Sequence, residues 1–184
     1  MSLCGIDEAG RGPIAGDLVI AGCILSSPIK GLNDSKKLSE KKRENLFEEI
    51  IANSLYHVVK FSPKIIDEKG ISACMHDALN EILQKLKAEK YLFDGNTSFG
   101  VKNLNTMIKA DGKIPEVSAA SIIAKVTHDR DIIKSAEKHP KYQFEKHKGY
   151  GTKLHIEMIK KYGYCDLHRR SFKLKALEPS LFDT

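Results

Sequence analysis

The chain has 184 residues, 41 % apolar and 29 % charged, with 30 Lys/Arg against 24 Asp/Glu. That length reads as one domain able to bury its own core without disulfides or a structural metal, and the composition excludes general disorder. No apolar run is long enough to cross a membrane, and Asp7 and Glu8 stand where a secretory signal would be apolar, so a cytoplasmic protein is expected.

In chain order, Leu3–Asp7 and Leu18–Leu25 read as apolar strands joined by the Gly-rich segment Ala9–Gly16. Ser39 is placed to cap a helix running to about Ile51. Leu55–Phe61, β-branched and aromatic, is a third strand, and Ser62-Pro63 opens a short helix ending near Gly70. Ser72–Lys87 carries apolar residues at 75, 78, 79, 82, 83 and 86, a helical stripe. Tyr91–Phe93 is a strand ending in the turn Asp94-Gly95-Asn96, and Leu104–Ile108 is another strand. Ser118 is expected to cap a long helix to about His139, and Thr152–Tyr162 forms a further helix. Mixed strands and helices followed by helices alone predict an α/β sheet over residues 1–140, with a helical C-terminal segment, 141–184, packed on it.

Charge is uneven. Residues 1–100 hold 13 Lys/Arg and 14 Asp/Glu, whereas residues 101–184 hold 17 and 10. A basic half fits either a polyanionic partner or a solvated basic surface. Cys4, Cys23, Cys74 and Cys165 are too far apart for a zinc ribbon or redox dithiol and read as buried or idle thiols. The seven histidines show no metal-ligand spacing.

Three carboxylate positions stand out. Asp7-Glu8 closes an apolar strand, and both can serve one site only if the strand ends or kinks there, since neighbouring strand residues face opposite ways. Asp94 closes a second apolar strand, and ligands of open α/β sheets collect at such ends. A turn-capping role is the alternative for each. Asp129 shares a helix face with Ile122, Val126, Ile132 and Ile133, which is costly unless it is paired or metal-bound; Lys125, one turn earlier, offers the pairing. Asp131 faces the other way, as a surface residue does. Converging carboxylates suit a hard cation such as magnesium or manganese, and with the basic half they point to two-metal phosphodiester hydrolysis.

Six ordered segments carry a resemblance. They are Gly5–Pro13 (GIDEAGRGP), Asn33–Leu38 (NDSKKL), Asp94–Asn96 (DGN), Ile114–Val126 (IPEVSAASIIAKV) with Asp129, Lys148–Thr152 (KGYGT) and His168–Phe172 (HRRSF). The chain resembles ribonuclease HII, the type 2 ribonuclease H, in its bacterial form. The resemblance implies an RNase H-like fold, a five-stranded mixed sheet flanked by helices. It implies endonucleolytic hydrolysis of the RNA strand of RNA/DNA hybrids. It also implies incision on the 5′ side of a single ribonucleotide in a DNA-RNA-DNA duplex, leaving 3′-hydroxyl and 5′-phosphate ends.

On the same basis Asp7, Glu8, Asp94 and Asp129 are the catalytic carboxylates and hold two Mg2+ or Mn2+ ions. Gly10, Arg11 and Gly12 present backbone groups to the 2′-hydroxyl, which separates RNA from DNA at one nucleotide. Tyr150 stacks on the neighbouring deoxyribose; without the family it would read as an aromatic staple on a turn. Lys36, Lys37, Ser121, Arg169 and Arg170 are either phosphate contacts or ordinary polar residues. Asp17 stands where many members have proline, a departure at a strand start. The type 3 enzyme differs at the Arg11 position, and the type 1 enzyme has another motif order. Leu181 and Phe182, after Pro179, resemble a sliding-clamp-binding tail; packing on the protein's own body is the alternative. The family suggests a monomer. A non-catalytic hybrid-binding module is a competing reading that intact carboxylates disfavour. A junction resolvase or integrase-like nuclease is another, disfavoured by the Gly10–Gly12 loop and Tyr150.

Overall fold

The computed structural model describes residues 2–174, so the Leu181 and Phe182 tail lies outside the described residues. The expected five-stranded mixed sheet is present. Its strands are β1 (Leu3–Ala9), β2 (Leu18–Leu25), β3 (Ser54–Phe61), β4 (Lys90–Asp94) and β5 (Asn105–Met107), in spatial order β3-β2-β1-β4-β5. The pairs β1–β2 and β2–β3 are antiparallel, and β1–β4 and β4–β5 are parallel. The helices are α1 (Glu40–Ala52), α2 (Pro63–Lys69), α3 (Ile71–Lys85), α4 (Pro115–Ala136), α5 (Phe144–His147) and α6 (Lys153–Tyr162). No helix among the described residues is long and apolar enough to cross a membrane.

The central strands read as nearly continuous apolar runs because both faces are covered. Leu18 and Ile20 pack with Met75, Leu79 and Ile82 of α3, while Val19, Ala21 and Cys23 pack with Ile50 of α1 and Ile122 and Ile123 of α4. That alternation follows from the period-2 geometry of a strand. Gly5 marks where α4 crosses β1: a Cβ there would collide with the Glu116 carbonyl and the Val117 nitrogen. A third cluster, Ala15, Ile132, Ala136, Tyr142 and Phe144, ties the C-terminal segment to the β1–β2 loop and the end of α4.

Ser39 caps its helix as predicted, and Ser62 and Thr152 do the same at the helices read from those positions, each side chain accepting from a backbone N–H three residues on. Several boundaries shift by one to three residues, and two of the differences bear on the site. Strand β1 runs on through Ala9, so Asp7 and Glu8 lie inside it rather than at its end. Helix α4 begins at Pro115, whose fixed φ and missing N–H suit a first turn, and not at Ser118. The Ser118 hydroxyl instead donates to the backbone carbonyls of Asp111 and Ile114, holding the turn that precedes the helix.

Candidate active site

Strands β1 and β4 run parallel side by side, and the last paired residues are Ile6 and Phe93. The next residues, Asp7 and Asp94, therefore emerge together at one end of the sheet. Asp94 Oδ1 also accepts from the Ala110 N–H at 3.0 Å. That bond fixes the short 3-10 turn Ala110–Gly112 after β5 and brings in Asp111. One carboxylate oxygen from each of Asp7, Asp94 and Asp111 lies within 4.8 Å of the others. Glu8 flanks them. Its Oε1 lies 3.5 Å from Arg11 Nη1, and its Oε2 is buried with no hydrogen-bond partner.

The electrostatics are those of a site short of positive charge. Burial, then the Glu8 carboxylate, pushes the Asp7 carboxyl well above the ordinary carboxylate range, and Asp94 adds to the shift. Burial also raises Glu8, partly offset by Arg11. Burial and then the Asp94 and Asp34 charges raise Asp111. Crowded, desolvated carboxyls and an orphaned buried carboxylate oxygen make an all-oxygen donor set that fits a hard divalent cation. Two hollows meet at Lys36. One, of about 130 Å3, is lined by Asp7, Glu8, Gly10–Gly12, Ser121, Lys125 and Tyr150; the other, of about 500 Å3, by Asp94, Asp111 and Lys37, Lys109 and Lys113.

Asp129, expected as the fourth carboxylate, is not brought into the Asp7–Asp94–Asp111 cluster. Its Oδ1 is taken by Lys125 Nζ at 2.7 Å and His128 Nδ1 at 3.0 Å. Burial would raise this carboxyl, but those two partners hold it below its ordinary range. The i, i+4 pairing of Lys125 with Asp129 is what the helix adopts. Asp131 is a surface residue, 36 % exposed at its side chain and paired with Lys60 at 2.8 Å. Asp111 is the residue that motif reading missed. It stands three residues beyond the strand read at Leu104–Ile108, so the rule that found Asp94, a carboxylate closing a strand, did not reach it.

Of the expected substrate contacts, Gly10, Arg11, Gly12, Lys36, Ser121 and Tyr150 all line the cleft. Tyr150 is 42 % exposed, with Lys125 Nζ 5.8 Å from its ring centroid. The Ser121 hydroxyl donates to Ser35 Oγ at 2.8 Å and, beside Asp7, works against the rise that burial imposes on that carboxyl. Lys37 lines the larger hollow and pairs with Asp34 at 3.8 Å. Arg170 borders a separate hollow with Asp67 and Glu68.

Arg169 is not a surface phosphate contact. It is 1 % exposed, and its guanidinium donates to the Gly16 carbonyl at 3.0 and 2.8 Å and to the Pro13 carbonyl at 2.8 Å. The chain spends this cation on the Gly-rich loop because consecutive bends leave that loop's carbonyls without ladder partners. Burial lowers the Arg169 guanidinium to about 10, and it stays charged at neutral pH. Across the same loop Ile14 N–H donates to Gly149 O at 2.9 Å. Gly149 has φ +82°, and a Cβ there would strike the Ala15 carbonyl. Arg169→Lys is expected to lose stability nearly as far as Arg169→Ala, by about 2–3 kcal/mol, because one ammonium cannot replace a fork of donors. Denaturant unfolding measures this, and an unchanged lysine variant would mean that one donor suffices.

Comparisons with known proteins agree with this fold. The family model described as Ribonuclease HII matches residues 4–175. A ribonuclease HII of Sulfurovum sp. (strain NBC37-1) is 61 % identical over 181 residues, covering 98 % of this chain and 96 % of the relative. The solved PCNA:RNase HII complex from Archaeoglobus fulgidus superposes with a TM-score of 0.81 at 32 % identity, covering all of both chains. A Bst-RNase HIII solved in complex with Mn2+ gives 0.73 at 17 % identity over 94 % of this chain and 67 % of that one, a likeness of fold.

Proposed function

The chain belongs to the ribonuclease HII family, an endonuclease hydrolase family, and from that premise we propose that it hydrolyses the RNA strand of RNA/DNA hybrids and incises 5′ of single ribonucleotides in duplex DNA. The products are 3′-hydroxyl and 5′-phosphate ends. The observation that carries this reading is the meeting of Asp7, Asp94 and Asp111, with Glu8 beside them, against a wall of lysines and the Gly10–Gly12 loop. Asp111 takes the place that the sequence had given to Asp129.

These four side chains are the ones that would hold Mg2+ or Mn2+; the HIII neighbour solved with Mn2+ supports the class of ion. A pair of such ions, when bound, supplies activation of the attacking water and charge stabilisation at the leaving oxygen. The chain's own groups do the rest. Lys36, Lys109 and Lys113 attract the phosphates on the Asp94 side. On the other side the Gly10–Gly12 backbone approaches the ribose, and the Tyr150 ring meets the next sugar. The Archaeoglobus fulgidus relative was solved with PCNA, which supports a sliding clamp as partner for the Leu181 and Phe182 end.

The test is cleavage of two labelled duplexes, one continuous hybrid and one with a single ribonucleotide, in Mg2+, in Mn2+ and in chelator. Incision of both with either ion and of neither with chelator is expected. Tyr150→Ala is expected to cut single-ribonucleotide incision about tenfold while leaving hybrid cleavage within about twofold, the loss of one stacking contact. Equal losses would make the tyrosine structural, and no cleavage by the unaltered chain would end the reading.

A further inference from the structure

Behind Tyr150 lies a row of buried histidines that the proposed chemistry does not use. His147, His155 and His168 are 6 %, 0 % and 2 % exposed. His168 Nδ1 accepts from the Cys165 N–H at 2.9 Å, so its proton is on Nε2. His168 Nε2 is 3.1 Å from His155 Nε2, which must then be the acceptor. His155 Nδ1 carries the remaining proton and donates to the Tyr150 carbonyl at 2.9 Å. That carbonyl can only accept, so the two ends of the chain independently require the same tautomers. Burial lowers both histidines to about 4, keeping the row neutral at physiological pH. His147 stacks on His155 with ring centroids 4.1 Å apart, and its backbone carbonyl accepts from the Tyr150 N–H at 2.9 Å.

The backbone of Tyr150 is thus held from both sides, its carbonyl also accepting from the Thr152 N–H at 2.8 Å, while its ring, with Lys125 Nζ 5.8 Å from the centroid, is exposed in the cleft beside Asp7 and Glu8. We propose that His155, fixed in its tautomer by His168, is a positioning residue that aims Tyr150 and thereby sets the preference for a ribonucleotide next to deoxyribose. This rests on reading Tyr150 as the group that meets the sugar beside the cleavage site. A neutral donor suits the task, because a charged one next to the cleft would attract phosphate wherever it lay. The stack on His147 and the bond from His168 leave the His155 ring no freedom to turn its donor away.

Two near-isosteres separate aiming from packing. In His155→Asn the amide nitrogen takes the place of Nδ1, keeping the donor to the Tyr150 carbonyl and losing His168. In His155→Gln the amide reaches the place of Nε2, keeping His168 and losing Tyr150. The readout is the ratio of kcat/KM on the single-ribonucleotide duplex to that on the continuous hybrid, with unfolding midpoints recorded beside it. His155→Asn is expected to keep the ratio within about twofold, and His155→Gln to lower it about tenfold, as displaced supporting partners do. Adding Tyr150→Ala to His155→Gln should lower it no further. His168→Asn, which keeps an acceptor for the Cys165 amide but frees His155, should lower the ratio by a few-fold and serves if the glutamine variant folds poorly. Equal falls in midpoint with an unchanged ratio in both His155 variants would overturn the proposal alone. Failure of the unaltered protein to cleave either duplex would remove the reading beneath it.

Discussion

Asp94→Asn is expected to lower turnover on both duplexes by about 10^3-fold, while duplex affinity in chelator stays within about twofold. The two effects separate because they rest on different residues. Affinity is expected to come from the lysines that line the larger hollow, Lys36, Lys37, Lys109 and Lys113, which the change leaves alone. Turnover needs the negative charge that Asp94 contributes at the end of β4 beside Asp7. The asparagine keeps an oxygen for the Ala110 N–H, so the turn carrying Asp111 is retained. Asp7→Asn is expected to behave alike, since its oxygen can still accept from the Glu8 N–H. A second readout follows from the crowding. Asp7 and Glu8 are raised by burial and by charges that include Asp94, so removing that charge relieves repulsion in the cation-free protein. The unfolding midpoint of Asp94→Asn in chelator should therefore rise, and the further rise that Mg2+ or Mn2+ gives the unaltered chain should vanish. Near-normal cleavage, or a midpoint that still climbs with added ion, would remove Asp94 from the cation-binding set.

How far the site was legible depended on whether each residue obeyed a local rule. Asp94 follows an apolar strand, and Ser39, Ser62 and Thr152 precede helical stripes, so short-range pattern was enough for them. Asp7 and Glu8 were also found, although the continuation of β1 through Ala9 means the strand does not end where the pattern placed it. Asp111 escaped because β5 is three residues long with every position exposed; it has no apolar alternation to announce that its end matters. Arg169 escaped for the opposite reason. Charged residues are almost never fully buried, so a pattern reading sends them to the surface, and only the fold shows carbonyls waiting for this one. The histidines showed no metal spacing, yet residues 147, 155 and 168 come together through the packing of α5, α6 and the following turn, a long-range arrangement no spacing rule encodes.

Asp111→Asn and Asp129→Asn are expected to differ in size and in sign. Asp111 lies within ligand reach of Asp7 and Asp94 and is raised by burial and by the charges of Asp94 and Asp34. Its amide variant should cost about 10^3-fold in turnover and should unfold later than the parent in chelator, because one of several repelling charges is gone. Asp129 is already neutralised. Its side chain is 13 % exposed, and Lys125 and His128 satisfy the same oxygen. Removing that charge frees Lys125, whose ammonium lies 5.8 Å from the Tyr150 ring centroid, so the effect on cleavage arrives through a displaced neighbour and should be about tenfold. Stability should fall by about 1–2 kcal/mol, the loss of a partly buried charge-assisted hydrogen bond. Unfolding in chelator and single-turnover cleavage with Mn2+, run on both variants, measure all four quantities. If Asp129→Asn proves the more damaging to turnover and the more stable in chelator, the cation-binding set includes Asp129 instead of Asp111. A carboxylate that holds a cation leaves the empty protein strained, whereas one that holds a lysine leaves it relaxed.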